Sequence, residues 1–107
     1  MKKPTLALYV LKPPVAIAIV LQTDHAQRLP EWEELAAVSM AVQNMWLTAT
    51  EKGLGAFWAT PDFVSLFDEV IGIENGQKML GFFFVGNIVM ELPSPGRGDV
   101  NALTEWK

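Results

Sequence analysis

Residues 30–52 set the frame into which the rest of this chain must fit. Leu35, Val38, Val42, Met45, Trp46 and Ala49 recur at three- and four-residue steps, which lays an apolar stripe along one side of an α-helix. Pro30 suits the first helical turn, and Glu31, Glu33 and Glu34 lie where the positive end of the helix dipole favours anions. Lys52 occupies the last turn, and Gly53 stands where a left-handed terminating residue belongs. A helix of about 22 residues spans roughly 33 Å, the width of a whole small domain, so it is expected to be central. Ala36, Ala37, Ser39 and Ala41 keep its other faces narrow enough for a second helix to approach.

Shorter elements flank it. Val15 to Leu21 is an unbroken apolar run between Pro13-Pro14 and Thr23-Asp24-His25, which predicts a strand buried on both faces. Gly55 to Thr60 reads as a short buried strand. Thr60 then offers a helix N-cap, with Pro61 as the first helical residue and Asp62 in the first turn. Phe63, Leu66, Phe67 and Val70 form the apolar face of a short helix that ends at Gly72. Glu74 to Gln77 is a turn, and Met79 to Val85 is a second continuous apolar strand, closed by Gly86-Asn87. Pro93 to Asp99 has little capacity for regular structure. Thr5 to Leu11 fits a short strand or a helical remnant equally well. The order is strand, long helix, strand, short helix, strand and extended tail, which means α/β or α+β with a mostly covered sheet in one domain.

Composition sharpens this. With 107 residues, 50% of them apolar and only 19% charged, the chain has more apolar surface than one small core can hide. Association is therefore expected, with helix 30–52 as the contact, and aspartates at Val38 and Val42 are expected to break it. A net charge of −4, without basic clusters, argues against nucleic acid as the partner. The absence of cysteine excludes disulfides, thiolate metal sites and cysteine nucleophiles. The single histidine, His25, excludes a two-histidine metal motif and reads as a solvated loop residue. Residues 1–11 mimic a signal peptide, but Pro13-Pro14 interrupts the run and no cleavage site follows cleanly. Val15 to Leu21 is far shorter than the ~20 residues of a membrane helix, so a soluble cytoplasmic protein is expected, with no membrane partner. Arg97-Gly98-Asp99 is read as a chance tripeptide, and Gly53-Leu54-Gly55 as a helix cap followed by close strand packing. No carboxylate pair stands out as an acid–base dyad. Trp46 belongs to the core stripe, whereas Trp58, at a strand end before a capped helix, suits either the core or a platform for a planar ligand.

The linear order of short motifs carries more than any one of them. Arg28-Leu29-Pro30-Glu31-Trp32-Glu33-Glu34, then Ala41-Val42-Gln43-Asn44-Met45, then Gly53 to Pro61, closely resembles the second half of the nitroreductase family. Gly81-Phe82-Phe83-Phe84-Val85-Gly86 looks like that family's penultimate strand, and the similarity runs on through Pro93 to Arg97, covering roughly residues 12 to 100. The Pro-x-Trp-Glu entry to the helix and the tryptophan after Gly55 are similar to the short, single-domain branch of the family.

The resemblance implies an α+β fold and an interlocked homodimer that uses FMN. It implies hydride transfer from NADH or NADPH to the flavin, and then electrons to a nitroaromatic, quinone or related small acceptor. Phe57, Trp58, Ala59 and Thr60 match the loop lying against the isoalloxazine ring, and Arg97 matches a basic residue used on the FMN phosphate. The family's arginine-rich phosphate motif and its proline- and tryptophan-containing N-terminal flavin segment have no counterpart here. The chain is thus expected to be a single partial domain over residues 1–107, a C-terminal half holding part of an FMN site. Two other readings stand beside it: a dimerisation module that keeps the fold without flavin, and a small apolar-ligand binder built around Trp58.

Overall fold

The computed structural model describes residues 14–60, 68–88 and 93–107. Their elements follow the expected order: β1 (Val15–Gln22), α1 (Glu31–Glu51), β2 (Leu54–Ala59), α2 (Asp68–Ile71), β3 (Gln77–Asn87) and a 3₁₀ turn (Val100–Leu103). The expectations for Thr5 to Leu11, and for the helix start at Pro61, Asp62, Phe63, Leu66 and Phe67, lie outside the described residues.

The three strands form one antiparallel sheet in the order β1-β3-β2. The central place of β3 matches its burial: Phe82, Phe83 and Phe84 are all buried, and consecutive strand residues point to opposite faces. On one face Phe83 joins Ile19 and Val42 in a core that Val38, Met45, Trp46 and Trp58 close. On the other, Phe82 and Phe84 pack with Ala16, Ala18, Ala59 and Ile71. The fold is α+β, as expected.

β1 corrects one expectation. Among the described residues it is an edge strand rather than a strand buried on both faces, and Val15 and Ile17 are exposed. Its alternation is in size rather than polarity. Val15, Ile17, Ile19 and Leu21 share the helix-facing side, whereas Ala16 and Ala18 meet the phenylalanines opposite. A run that looks uniformly apolar therefore packs its large residues on the helix face and, up to Val20, small ones on the other. β2 is likewise half-buried rather than buried, because it forms the other edge.

α1 begins one residue later than expected. Pro30 is the residue before the first turn, with φ −64° and an extended ψ of 147°, and its carbonyl accepts from the Glu33 N–H at 3.0 Å. At the far end Lys52 N–H donates to the Thr48 carbonyl and Gly53 N–H to that of Thr50, with Gly53 left-handed at φ 75° as its position predicts. The buried stripe of α1 centres on Val42 and Ala49. A second apolar stripe, Trp32, Ala36, Met40 and Leu47, recurs at steps of four, four and seven on another face, where Trp32, Met40 and Leu47 are exposed.

Asp24 organises the loop from β1 to α1. Its carboxylate accepts from the Ala26 N–H at 3.1 Å and from the Arg28 Nε at 2.9 Å, while its own N–H donates to Glu34 Oε1 at 2.6 Å. The Arg28 guanidinium, and then the Ala26 N–H, hold the Asp24 carboxyl below its ordinary value of 3.8. Folding therefore gains from this group above the unfolded pKa, and the gain is lost as pH falls through the folded one. In an NMR titration the Asp24 carboxyl is expected to have a lower midpoint in the parent than in Arg28→Ala, and equal midpoints would overturn the pairing. Lys78 and Glu31 form an exposed ion pair that ties β3 to the start of α1.

Candidate functional site

The Phe57–Thr60 segment is built by the sheet rather than by a loop. Phe57 and Ala59 lie opposite Phe84 and Phe82, while Trp58 lies opposite Phe83, so these three residues alternate between two faces. The Phe57 ring is 51% exposed and tilts against Phe84 with centroids 5.1 Å apart. Trp58 turns the other way, into the core beneath α1, and its Nε1–H donates to the Leu80 carbonyl at 2.8 Å. Of the two readings of Trp58, core membership is the one observed. The aromatic ring open to a planar ligand is that of Phe57.

The Leu80 carbonyl is available because β3 bulges. Ala18 pairs with Phe82 and Val20 with Met79, so two steps along β1 correspond to three along β3. The extra residue is accommodated at Gly81, whose φ of 111° is open to glycine and strained for other residues. A Cβ there would run into the Ala59 carbonyl oxygen and lie 3.0 Å from Thr60 Oγ1 and 3.1 Å from Trp58 Nε1. Thr60 Oγ1 also reaches the Leu80 carbonyl, at 3.3 Å. The β2–β3 pairing ends at Ala59 and Phe82, so Thr60 has left the ladder but remains tied to it through this one acceptor.

Gly81 and the Leu80 carbonyl escaped the reading of site residues. Their signal is a single glycine interrupting an otherwise apolar strand run, the usual mark of a bulge or a close backbone approach.

Arg97 is exposed in the irregular segment 93–99, next to the left-handed Gly96 at φ 77°. Among the described residues, the hydrogen bonds of 93–107 stay within that segment, such as Gly96 N–H to Ser94 Oγ and Asn101 N–H to Asp99 Oδ1. The structure thus brings Phe57, Trp58, Ala59 and Thr60 together and does not join Arg97 to them. His25 is an exposed loop residue, and Trp46 packs edge-on against Phe83 at 5.8 Å, both as expected. Among the described residues there is no group of three metal-ligating side chains, and no helix is long and apolar enough to cross a membrane.

The profile of the nitroreductase family matches residues 6–87. The chain belongs to the nitroreductase family. The matched stretch includes β1, α1, β2 and β3 and stops short of Arg97. Among solved structures, the chain is similar to the crystal structure of a nitroreductase-like family protein from Bacillus cereus, with 27% identity and a TM-score of 0.74. That similarity covers 95% of this chain but 55% of the other, so the chain spans little more than half the length of that relative. No curated protein matches it significantly.

A flavin is the group such a family implies, and its ring side can be tested against these residues. An isoalloxazine edge requires hydrogen-bonding groups free of the sheet ladder, next to an apolar surface. The end of β2 meets both needs, with Thr60 beyond the last ladder pair and the half-exposed Phe57 on the adjoining face. The ring side fits.

Proposed function

We propose that this chain carries the ring side of an FMN site in a homodimeric nitroreductase-type oxidoreductase of the cytoplasm, where NAD(P)H is available. Family membership supports an oxidoreductase-type function in general. The observation that carries the finer reading is the end of β2, where Trp58 and Thr60 are both anchored to the Leu80 carbonyl while the Phe57 ring is exposed on the other face of the strand. The FMN these residues would hold would supply the redox chemistry between NAD(P)H and a nitroaromatic or quinone-like acceptor. The chain's own residues would bind and orient: Phe57, Ala59 and Thr60 at the ring edge, with Trp58 behind them in the core, and Arg97 on the phosphate. An exposed guanidinium on a glycine-flanked tail suits that second task, because it is free of the core and can form charge-assisted bonds to a phosphate.

Titration of the chain with FMN, followed by flavin fluorescence, is expected to give weak but saturable binding. Arg97→Ala is expected to lower that affinity by about 1.5–3 kcal/mol, the worth of a charged hydrogen bond, without changing the bound flavin's spectrum. Failure of the parent chain to saturate at millimolar FMN would overturn the reading.

The second apolar stripe of α1 supports the homodimer, since Trp32, Met40 and Leu47 are open to a second copy. Its placement corrects the choice of Val38 and Val42 as contact residues. Val42 is buried against Ile19 and Phe83 in the chain's own core, and Val38 packs against the same cluster. Sedimentation is expected to show a dimer at micromolar concentration. The Met40→Asp, Leu47→Asp double variant is expected to sediment as a folded monomer, whereas Val42→Asp is expected to unfold the chain by burying an unpaired charge. A monomeric parent would sink the dimer.

A further inference from the structure

We infer that Trp58 is a positioning residue for the flavin edge, acting through the Leu80 carbonyl that it shares with Thr60. The inference rests on the reading of Phe57–Thr60 as the ring-side segment. Beyond the last ladder pair, Ala59 with Phe82, the sheet no longer fixes where the chain goes. Among the described residues, one acceptor ties Thr60 back to the sheet: the bulge at Gly81 turns the Leu80 carbonyl toward the end of β2, and two side chains two residues apart both donate to it.

The two bonds are unequal. Trp58 Nε1 is at 2.8 Å with the indole wedged among Phe83, Val42 and Ile19, while the Thr60 hydroxyl is at 3.3 Å on the exposed side. The rigid, half-buried indole therefore holds the carbonyl where the bulge has turned it, and Thr60 bonds to the carbonyl so held. Because the Thr60 hydroxyl donates to Leu80, its remaining lone pairs are turned to accept only, which defines the hydrogen-bond polarity it presents to a ring edge. Trp58 does not touch the ring. It determines where, and with which polarity, Thr60 does.

The test uses the full chain, FMN as the probe, and Trp46→Phe as the structural control, because Trp46 packs on the same Phe83 and has no hydrogen bond to the bulge. Trp58→Phe keeps an aromatic ring in the core but removes the N–H donor. It is expected to raise the FMN dissociation constant about tenfold and to shift the bound flavin's absorption maxima, consistent with one lost hydrogen bond in a buried network. Trp46→Phe is expected to lower thermal stability while leaving both flavin readouts unchanged. Thr60→Val is expected to move the Trp58 indole N–H signal in the NMR spectrum of the FMN-free protein, while Thr60→Ser restores it.

Equal weakening of FMN binding by Trp46→Phe and Trp58→Phe would show that Trp58 acts through stability alone, and would overturn the inference. So would an indole signal indifferent to Thr60→Val, a result that also holds if Trp58→Phe fails to fold. If Thr60→Val moves the indole signal but the parent shows no saturable response to FMN, the shared acceptor stands, and the flavin reading falls together with the positioning role.

Discussion

Gly81→Ala is expected to destabilise the chain by about 3 kcal/mol or more, through two effects that add at one atom. The first is conformational. Gly81 sits at φ 111°, where an L-residue with a Cβ is strained whatever the space around it. The second is steric, and it is the larger. The new Cβ would run into the carbonyl oxygen of Ala59, a backbone atom that cannot rotate away as a side-chain tip would. Relief requires β2 and β3 to separate where their pairing ends, which also breaks the Trp58 and Thr60 bonds to Leu80. For a domain of this size each kcal/mol lowers the melting temperature by about 4–8 °C, so a fall of roughly 12 °C or more is expected in a circular dichroism melt. An unchanged melting temperature would mean that β3 does not bulge at Gly81.

Phe83→Ala is expected to cost about 3–5 kcal/mol, the range for emptying a large buried aromatic site. Phe83 is 1% exposed at the middle of the central strand. It is the sheet's contribution to the core that α1 covers, meeting Val42 and Ile19 directly and Trp46 edge-on. Collapse into the space is limited, because the ladders to β1 at Ile17 and to β2 at Trp58 hold the backbone on both sides. Urea unfolding should show a lower midpoint with an unchanged slope. Phe57→Ala provides the contrast, since Phe57 is half exposed on an edge strand, and its loss is expected to cost clearly less. If the two variants were equally stable, α1 would not pack over Phe83.

These two positions also separate what was legible in the sequence from what was not. The phenylalanine run of β3, the three- and four-residue rhythm of α1 and the glycine after its last turn are local signals, and local backbone preference acts on neighbours in the chain. The same holds for the turn at Glu74–Gln77, closed by the Gln77 N–H to the Glu74 carbonyl at 3.1 Å. The ordered motifs likewise pointed to the nitroreductase family and to Phe57–Thr60 as one segment.

Strand neighbours could not be read in this way, because pairing joins residues far apart in sequence and is decided by which strand can bury both of its faces. Val15 to Leu21 and Met79 to Val85 look alike as apolar runs. Only packing against α1 and against a second strand makes β3 central and leaves β1 at the edge. The same distinction applies to α1, whose apolar residues lie on two stripes, so periodicity alone could not say that Val42 faces this chain's core and Met40 faces outward. The sequence by itself determined the elements, their order and the family. The tertiary structure alone decided where Trp58 points and what holds Thr60, because both depend on the Leu80 carbonyl, an acceptor that exists only once β3 has bulged against its two neighbours.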